Sequence, residues 1–193
     1  MHKVAIFGGS FDPVHKSHIQ IAKLAFKSLD LKKMIFVIAY TPPHKTKQYA
    51  YIEDRISMLK LATGNMQKTE ISLYEAQKLE TVYSYQTLDY FNSLYPEDEI
   101  YMVIGSDSLL DLPIWNNIDY MAGRYKFIVA KRHGFDEVNK NVKYLDRCVF
   151  IDKETEDISS TEIRRLVKED YKKAVSMLNK KVYNYIIQNG LYK

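Results

Sequence analysis

The chain has 193 residues, of which 46% are hydrophobic and 27% charged, and its formal net charge is +4 at pH 7. This length favours a single domain over residues 1–193 with a core of ordinary size, and the composition excludes disordered and fibrous classes. The charge is mild and its basic residues are scattered, which argues against a nucleic-acid partner, and no apolar run is long enough to span a membrane.

The only cysteine, Cys148, lies in the apolar run 148–151. A thiol in such a run is typical of a core side chain rather than of a nucleophile. One cysteine excludes a disulfide within the chain, and residues 1–10 lack the pattern of a signal peptide. We therefore expect a cytoplasmic protein.

Apolar, β-rich runs alternate with helical patterns along the chain. Strands are predicted at residues 3–7, 34–39, 69–73, 100–104, 127–130 and 148–151. Helices are predicted from about residue 15, over 52–62 before Gly64, over 83–94, and from Ser159 onward with a stop at Gly190. This alternation predicts a doubly wound α/β fold with a mainly parallel sheet and a C-terminal helical segment over about 159–193. In such sheets ligands bind at the carboxyl ends of the strands.

Residues 8–18, GGSFDPVHKSH, directly follow the first predicted strand. Gly8 and Gly9 indicate a turn that lets a ligand approach the backbone, and a helix N-terminus beside such a turn is an anion site. His15 and His18 would lie on one face of that helix and point at the anion. Two glycines can also form only a tight turn, and a histidine pair can bind a metal, although no third ligand stands at a zinc spacing.

This run resembles the opening signature of the H-x-G-H nucleotidyltransferases, and it is most similar to that of the bacterial nicotinate-mononucleotide adenylyltransferases. Ser17 takes the place of the family glycine. The resemblance implies a Rossmann-like fold and adenylyl transfer from ATP to nicotinate mononucleotide, giving deamido-NAD and pyrophosphate in NAD biosynthesis. The ATP contacts that it implies in this run are Gly8, Gly9, Ser10 and Phe11.

A second signature, ISSTEIRR, occupies residues 158–165. Consecutive hydroxyls at a helix start are first of all caps, which alone would explain Ser159 or Ser160. The string also resembles the family's I-S-S-T-x-I-R signature, which grips the outer phosphates of ATP. It implies ATP contacts for Ser159, Ser160, Thr161 and Arg164.

Two looser resemblances concern the nucleotide and the acceptor. Residues 104–107 and 112–116 resemble the family's G-x-D and L-P-x-W stretch. They imply ATP contacts for Gly105 and Asp107, and an acceptor site in which the pyridine ring stacks on Trp115 beside Asn116. Trp115 can also be a large core side chain, and Asp107 can simply cap a short helix.

Further acceptor contacts are implied by two other segments. Residues 83–88 resemble the family's S-Y-T-x-D-T-L helix start, with Gln86 in place of the aspartate, and imply contacts from Tyr83 and Ser84. Residues 131–134 parallel an A-R-P-G turn in which the arginine, here Arg132, faces the phosphates.

The loop PPHK, residues 42–45, follows the second predicted strand. Its prolines keep it extended, and a lysine or histidine in such a loop is usually solvated. The resemblance places this segment over the acceptor phosphate, so that Lys45 would neutralise that phosphate and His44 would help to orient it.

The implied chemistry needs no general base, because the second pKa of a phosphate monoester is about 6. The assigned roles are His18 as the principal donor to the α-phosphate and His15 as a donor to the triphosphate beside it. No cluster of metal ligands appears in the sequence, so we expect Mg²⁺ to be carried with ATP.

Several alternatives stay open. The same opening signature serves transfer to nicotinamide mononucleotide or phosphopantetheine, and cytidylyl transfer. The chain can also be a nucleotide-binding regulator without turnover. Pyrophosphate release from ATP plus nicotinate mononucleotide separates these alternatives. The sequence also leaves open whether the protein is a homo-oligomer.

Overall fold

The computed structural model describes residues 1–40, 48–132 and 143–193. Its strands are β1 Lys3–Gly9, β2 Lys33–Ile38, β3 Thr69–Ser72, β4 Glu99–Gly105, β5 Lys126–Arg132 and β6 Cys148–Thr155. Its α-helices are α1 Lys16–Leu29, α2 Ile52–Thr63, α3 Tyr74–Lys78, α4 Ser84–Leu94, α5 Ser106–Asp111, α6 Ile118–Arg124, α7 Ser160–Glu169, α8 Tyr171–Met177 and α9 Lys180–Gln188. Short 3-10 turns lie at Leu112–Ile114 and Leu145–Arg147.

The strands form one six-stranded sheet in the order β3-β2-β1-β4-β5-β6, and all neighbouring strands run parallel. This confirms the predicted doubly wound fold, and α7, α8 and α9 form the predicted C-terminal helical segment. All six predicted strands are present, although β6 runs on to Thr155. Within the described ranges, no helix is both long and apolar enough to cross a bilayer.

The sheet is covered on both faces because successive side chains of a strand point to opposite sides. Along β1, Ala5 and Phe7 pack into one core with α1, α2 and α9. Val4 and Ile6 pack into a second core with α4, α5 and α6. The predicted helical faces thus find their partners on opposite sides of one sheet.

The predicted turn at the two glycines is wrong. Gly8 and Gly9 remain in β1 and pair with Val37 and Ile38 of β2. The chain turns only afterwards, where Phe11 adopts a left-handed φ of 47°. Its ring folds back over β1, so that a Cβ at Gly9 would stand 3.1 Å from Phe11 Cζ. At position 9 the tight fit thus comes from this ring rather than from a turn, since a Cβ there would press on the ring.

Candidate active site

A crevice opens where the strand order reverses, between β1 and β4. Pairing of these strands ends at Ile6 and Met102, whereas the end of β1 stays paired with β2 and the end of β4 with β5. The carboxyl ends of the two strands therefore part, as they do at the ligand crevices of doubly wound sheets. A Cβ at Gly8 would meet no heavy atom of the described residues within 4 Å, so a ligand can approach the backbone there.

The two predicted histidines form a compact pair at the start of α1. His15 is the residue that precedes the helix, and its backbone N–H donates to Nδ1 of His18 (3.2 Å). The ring centroids lie 3.7 Å apart, and Phe11 packs edge-on against His18 at 5.1 Å. Because Nδ1 of His18 is an acceptor, its neutral ring carries the hydrogen on Nε2. This ring is therefore oriented as a hydrogen-bond donor.

The second signature docks onto the first one. The Ser160 hydroxyl donates to the Pro13 carbonyl (2.9 Å), and Nη1 of Arg164 donates to the Asp12 carbonyl (2.7 Å). Nη2 of Arg164 donates to the Thr161 hydroxyl at 3.0 Å. Ser160 and Pro13 are 147 residues apart in the chain. The two signatures thus form one site although they are remote in sequence.

Ser159 caps α7, since its hydroxyl accepts the Glu162 backbone N–H at 3.1 Å. This is the cap that consecutive hydroxyls predict. The guanidinium of Arg164 lies 4.0 Å from the centre of the Tyr49 ring, a cation–π contact that further fixes its position. The start of α7 and its arginine are thus held in place before any ligand arrives.

Arg55, which the sequence analysis did not single out, holds the ends of β1 and β2 together. It is only 2% exposed. Nη1 donates to the carbonyls of Ser10 (2.9 Å) and Ala39 (2.8 Å), and Nη2 donates to that of Tyr40 (3.3 Å). Burial lowers the pKa of Arg55, and the charge of nearby Asp12 opposes this shift. Arg55 thereby ties the loop before the histidines to the chain that follows β2.

A signal for Arg55 was present in the sequence. It stands in helical phase with Met58, Leu59 and Ala62, which are buried on the inner face of α2. A charged residue on an apolar stripe indicates a buried polar partner.

Four of the predicted acceptor residues lie with the elements that cover the other face of the sheet: Tyr83, Ser84, Trp115 and Asn116. Tyr83 precedes α4, and Gln86 accepts its backbone N–H at 2.8 Å, so the family aspartate position serves here as a helix cap. Ser84 begins the helix. Trp115 is half-buried against the second core and Asn116 is exposed. Trp115 is therefore neither a fully buried core residue nor a wholly solvated one.

The other predicted site residues are only partly placed. Gly105 ends β4 beside the crevice, and the exposed Asp107 lies in the first turn of α5. Arg132 ends β5, and its side chain lies outside the described atoms. His44 and Lys45 fall in residues 41–47, outside the described residues.

Two half-buried titratable groups, Cys148 and Glu75, do not join the histidine pair. Cys148 packs against the second core but is only half-buried; desolvation, with the Asp146 charge, raises its pKa to about 11, so the thiol is protonated at neutral pH. Burial also raises the pKa of Glu75, while the hydrogen bond that it accepts from the Thr87 hydroxyl (2.6 Å) opposes that shift. Among the residues that the structure describes, no three His, Cys, Asp or Glu side chains cluster to hold a metal ion.

Comparison with known proteins decides the family. The family model described as cytidylyltransferase-like matches residues 6–166. The chain is 39% identical over 203 residues to a probable nicotinate-nucleotide adenylyltransferase of Clostridium tetani, with 100% of both chains covered. A protein of the same name from Clostridium kluyveri is 38% identical over 206 residues, again with 100% of both covered. This chain belongs to the nicotinate-nucleotide adenylyltransferases of the cytidylyltransferase-like family.

Solved structures share the fold of this family member. The Plasmodium falciparum nicotinic acid mononucleotide adenylyltransferase complexed with NaAD matches with a TM-score of 0.82 at 23% identity, covering 100% of this chain and 98% of that chain. A putative nicotinate-nucleotide adenylyltransferase from Vibrio parahaemolyticus matches with a TM-score of 0.72 at 18% identity, covering 100% and 96%. The doubly wound sheet and its C-terminal helices are thus the architecture of those enzymes.

Proposed function

We propose that this protein transfers the adenylyl group of ATP to nicotinate mononucleotide, producing deamido-NAD and pyrophosphate, a step of NAD biosynthesis. The observation that carries the proposal is the docking of α7 onto the histidine loop. Arg164 and Ser160 bond to the backbone of residues 12–13, immediately before His15 and His18. This contact brings the two signatures together at the end of β1, which supports the proposal that both supply donors to one triphosphate.

ATP is proposed to enter as its Mg²⁺ complex, with the ion travelling as part of the substrate. ATP would contact the backbone of this segment, namely Gly8, Gly9, Ser10 and Phe11. The Phe11 ring itself is buried and would not contact ATP. A guanidinium carries five N–H groups, and Arg164 directs only two of them at other described residues. Its remaining donors suit the β- and γ-phosphates, together with the hydroxyls of Ser159 and Thr161. Gly105 and Asp107 would meet the nucleoside at the end of β4.

The reaction then needs alignment and charge relief rather than a base. An oxygen of the acceptor phosphate attacks the α-phosphorus, a new P–O bond forms, and the bond to the bridging oxygen breaks as pyrophosphate leaves. Nε2–H of His18 would donate to the α-phosphate as negative charge shifts toward the leaving group, with His15 beside it. Lys45 would reduce the repulsion between the two anions.

The acceptor is proposed to lie across the crevice from ATP. Trp115 offers a half-exposed ring for stacking with the pyridine, and the start of α4 at Ser84 offers backbone N–H donors. Two N–H donors suit a carboxylate, because both of its oxygens are acceptors. A carboxamide has one acceptor oxygen, so its NH₂ would face one of the N–H donors and leave that donor unpaired. The remaining proposed acceptor contacts are Tyr83, Asn116, His44, Lys45 and Arg132.

The proposal is tested by pyrophosphate release from ATP with three acceptors: nicotinate mononucleotide, nicotinamide mononucleotide and phosphopantetheine. A mispaired buried donor costs about 1–3 kcal/mol, so kcat/KM should favour the nicotinate by at least about tenfold. Equal values, or preference for the amide, would contradict the acceptor assignment. Release with none of the three would favour a nucleotide-binding regulator.

Arg164→Ala should weaken ATP binding by about 1.5–3 kcal/mol, because it removes charge-assisted bonds to the outer phosphates. The KM for ATP should rise accordingly, while the KM for the acceptor stays near the wild-type value. Steady-state kinetics with each substrate varied in turn measure both constants.

The matched control for this variant is Arg165→Ala. Arg165 is the next residue of α7, but its side chain is 56% exposed and pairs with Glu169 one turn further on. An exposed pair of this kind contributes about 0–1 kcal/mol, so this variant should bind ATP normally. If the two variants show the same KM for ATP, Arg164 does not contact the phosphates.

A further inference from the structure

Asp12 is a buried junction in the loop between β1 and α1. Its side chain is 2% exposed. The carboxylate accepts the backbone N–H groups of Tyr49 (2.8 Å) and Ala50 (3.2 Å) and the hydroxyl of Tyr192 (2.7 Å). A buried carboxylate is tolerated only when donors surround it, so these three bonds determine where the side chain lies.

The same residue is connected to the proposed catalytic groups. Its carbonyl accepts from Nη1 of Arg164, and it stands three positions before His15 in the chain. The carboxylate that Tyr49, Ala50 and Tyr192 hold and the carbonyl that Arg164 bonds belong to one residue, so anchoring the side chain also restrains this peptide. Asp12 thus couples the histidine loop to α7.

Tyr192 reaches Asp12 through the way in which α9 ends. Gly190 has a left-handed φ of 61°. Its N–H donates to the Ile187 carbonyl (3.2 Å), and the Leu191 N–H donates to the Ile186 carbonyl (3.0 Å). These two bonds make the Schellman turn, which reverses the chain direction after a helix. The turn brings the Tyr192 side chain back toward the sheet, where it is 8% exposed.

We propose that Tyr192 is a positioning residue for adenylyl transfer. Its hydroxyl holds the Asp12 side chain, and the Asp12 carbonyl in turn holds Arg164. The inference rests on the proposed function. Among the described residues, three groups donate to the Asp12 carboxylate, and of these the Tyr192 hydroxyl is the only side chain, so it can be removed alone. Burial, reinforced by the Asp12 charge, raises the pKa of Tyr192, so the phenol stays protonated and donates throughout the neutral range.

The chain offers a matched control in Tyr185 of α9. Its hydroxyl donates to Asp54 Oδ1 at 2.9 Å and ties α9 to the start of α2. Both tyrosines thus bond a carboxylate from the same end of the chain, but only Tyr192 contacts the histidine loop. Replacing either one by phenylalanine removes one hydroxyl and keeps the ring.

The experiment compares Tyr192→Phe and Tyr185→Phe with wild type in three measurements: thermal melting, kcat and KM for ATP, and calorimetric Kd for ATP without acceptor. Both variants should lower Tm, since each loses one hydrogen bond. Only Tyr192→Phe should weaken ATP, by about tenfold in Kd and in kcat/KM, which is typical of losing one bond to a charged group. Tyr185→Phe should remain within about twofold of wild type.

A purely structural role for Tyr192 predicts a different pattern. If Tyr192→Phe lowers Tm but matches Tyr185→Phe in Kd and kcat/KM, measured well below both melting temperatures, the inference is overturned. Failure of the proposed function looks different, because wild type would then release no pyrophosphate with nicotinate mononucleotide. The calorimetric comparison decides the role of Tyr192 in that case as well, since it needs no acceptor.

Discussion

Replacing His18 by alanine is expected to lower kcat by about 10²–10³, the usual effect of removing one preorganised donor from a developing oxyanion. The Nε2–H of His18 is oriented by the bond that Nδ1 accepts from the His15 backbone, and by the packing of Phe11 against the ring. The Kd for ATP should change little, because α7 and Arg164 are intact. Single-turnover rates and calorimetry separate the two effects.

His18→Asn distinguishes a donor from a helix cap. An asparagine oxygen can accept the His15 N–H as Nδ1 does, but its amide does not reach the place of Nε2. We expect this variant to be as slow as His18→Ala. Recovery of wild-type kcat by asparagine would show that His18 only caps α1. His2→Ala, at an exposed histidine, is the control for loss of an imidazole as such.

Arg55→Met should lower the free energy of unfolding by about 3–5 kcal/mol. The methionine fills much of the same volume, but the carbonyls of Ser10, Ala39 and Tyr40 lose their buried donor. The charge that Arg55 presents to Asp12 is also lost. Urea denaturation measures the loss, and kcat/KM should fall with it because the ends of β1 and β2 are no longer held together.

The control substitution is Arg124→Met, which removes an exposed guanidinium that lies 5.4 Å from the centre of the Tyr120 ring. An exposed cation–π contact of this kind contributes about 0.5–1 kcal/mol, well below the loss expected for Arg55→Met. If Arg55→Met is no more destabilising than Arg124→Met, the three carbonyls find other donors and Arg55 does not organise the loop.

The sheet was predictable because its signal is local. Each strand is a short apolar run that both faces of a parallel sheet bury, and the helices carry their periodic stripes close beside it. The two signatures were equally visible as strings. The contact between the two signatures depends on the fold, in which β1 is central in the sheet and α7 follows the last strand.

The supporting network was not predictable in the same way. Arg55 and Asp12 are charged residues whose burial depends on segments remote in the chain, and no periodicity shows which donor meets which acceptor. The surroundings of Gly9 were not predictable for a similar reason: the ring that crowds this position belongs to Phe11, two residues further on, and its direction depends on the left-handed φ of Phe11. Of these residues, only Arg55 could have been recognised from the sequence, because it stands in helical phase with the apolar stripe of α2.

The long reach of the Asp12 contacts also bears on how the protein is made. Asp12 and its donor Tyr192 are separated by 180 residues. At about 5–20 residues per second, a ribosome needs roughly 9–36 s to add that length, during which the loop lacks one of its donors. The sheet can begin to pair early, but the loop between β1 and α1 gains its bond from Tyr192 only after the last helix has emerged.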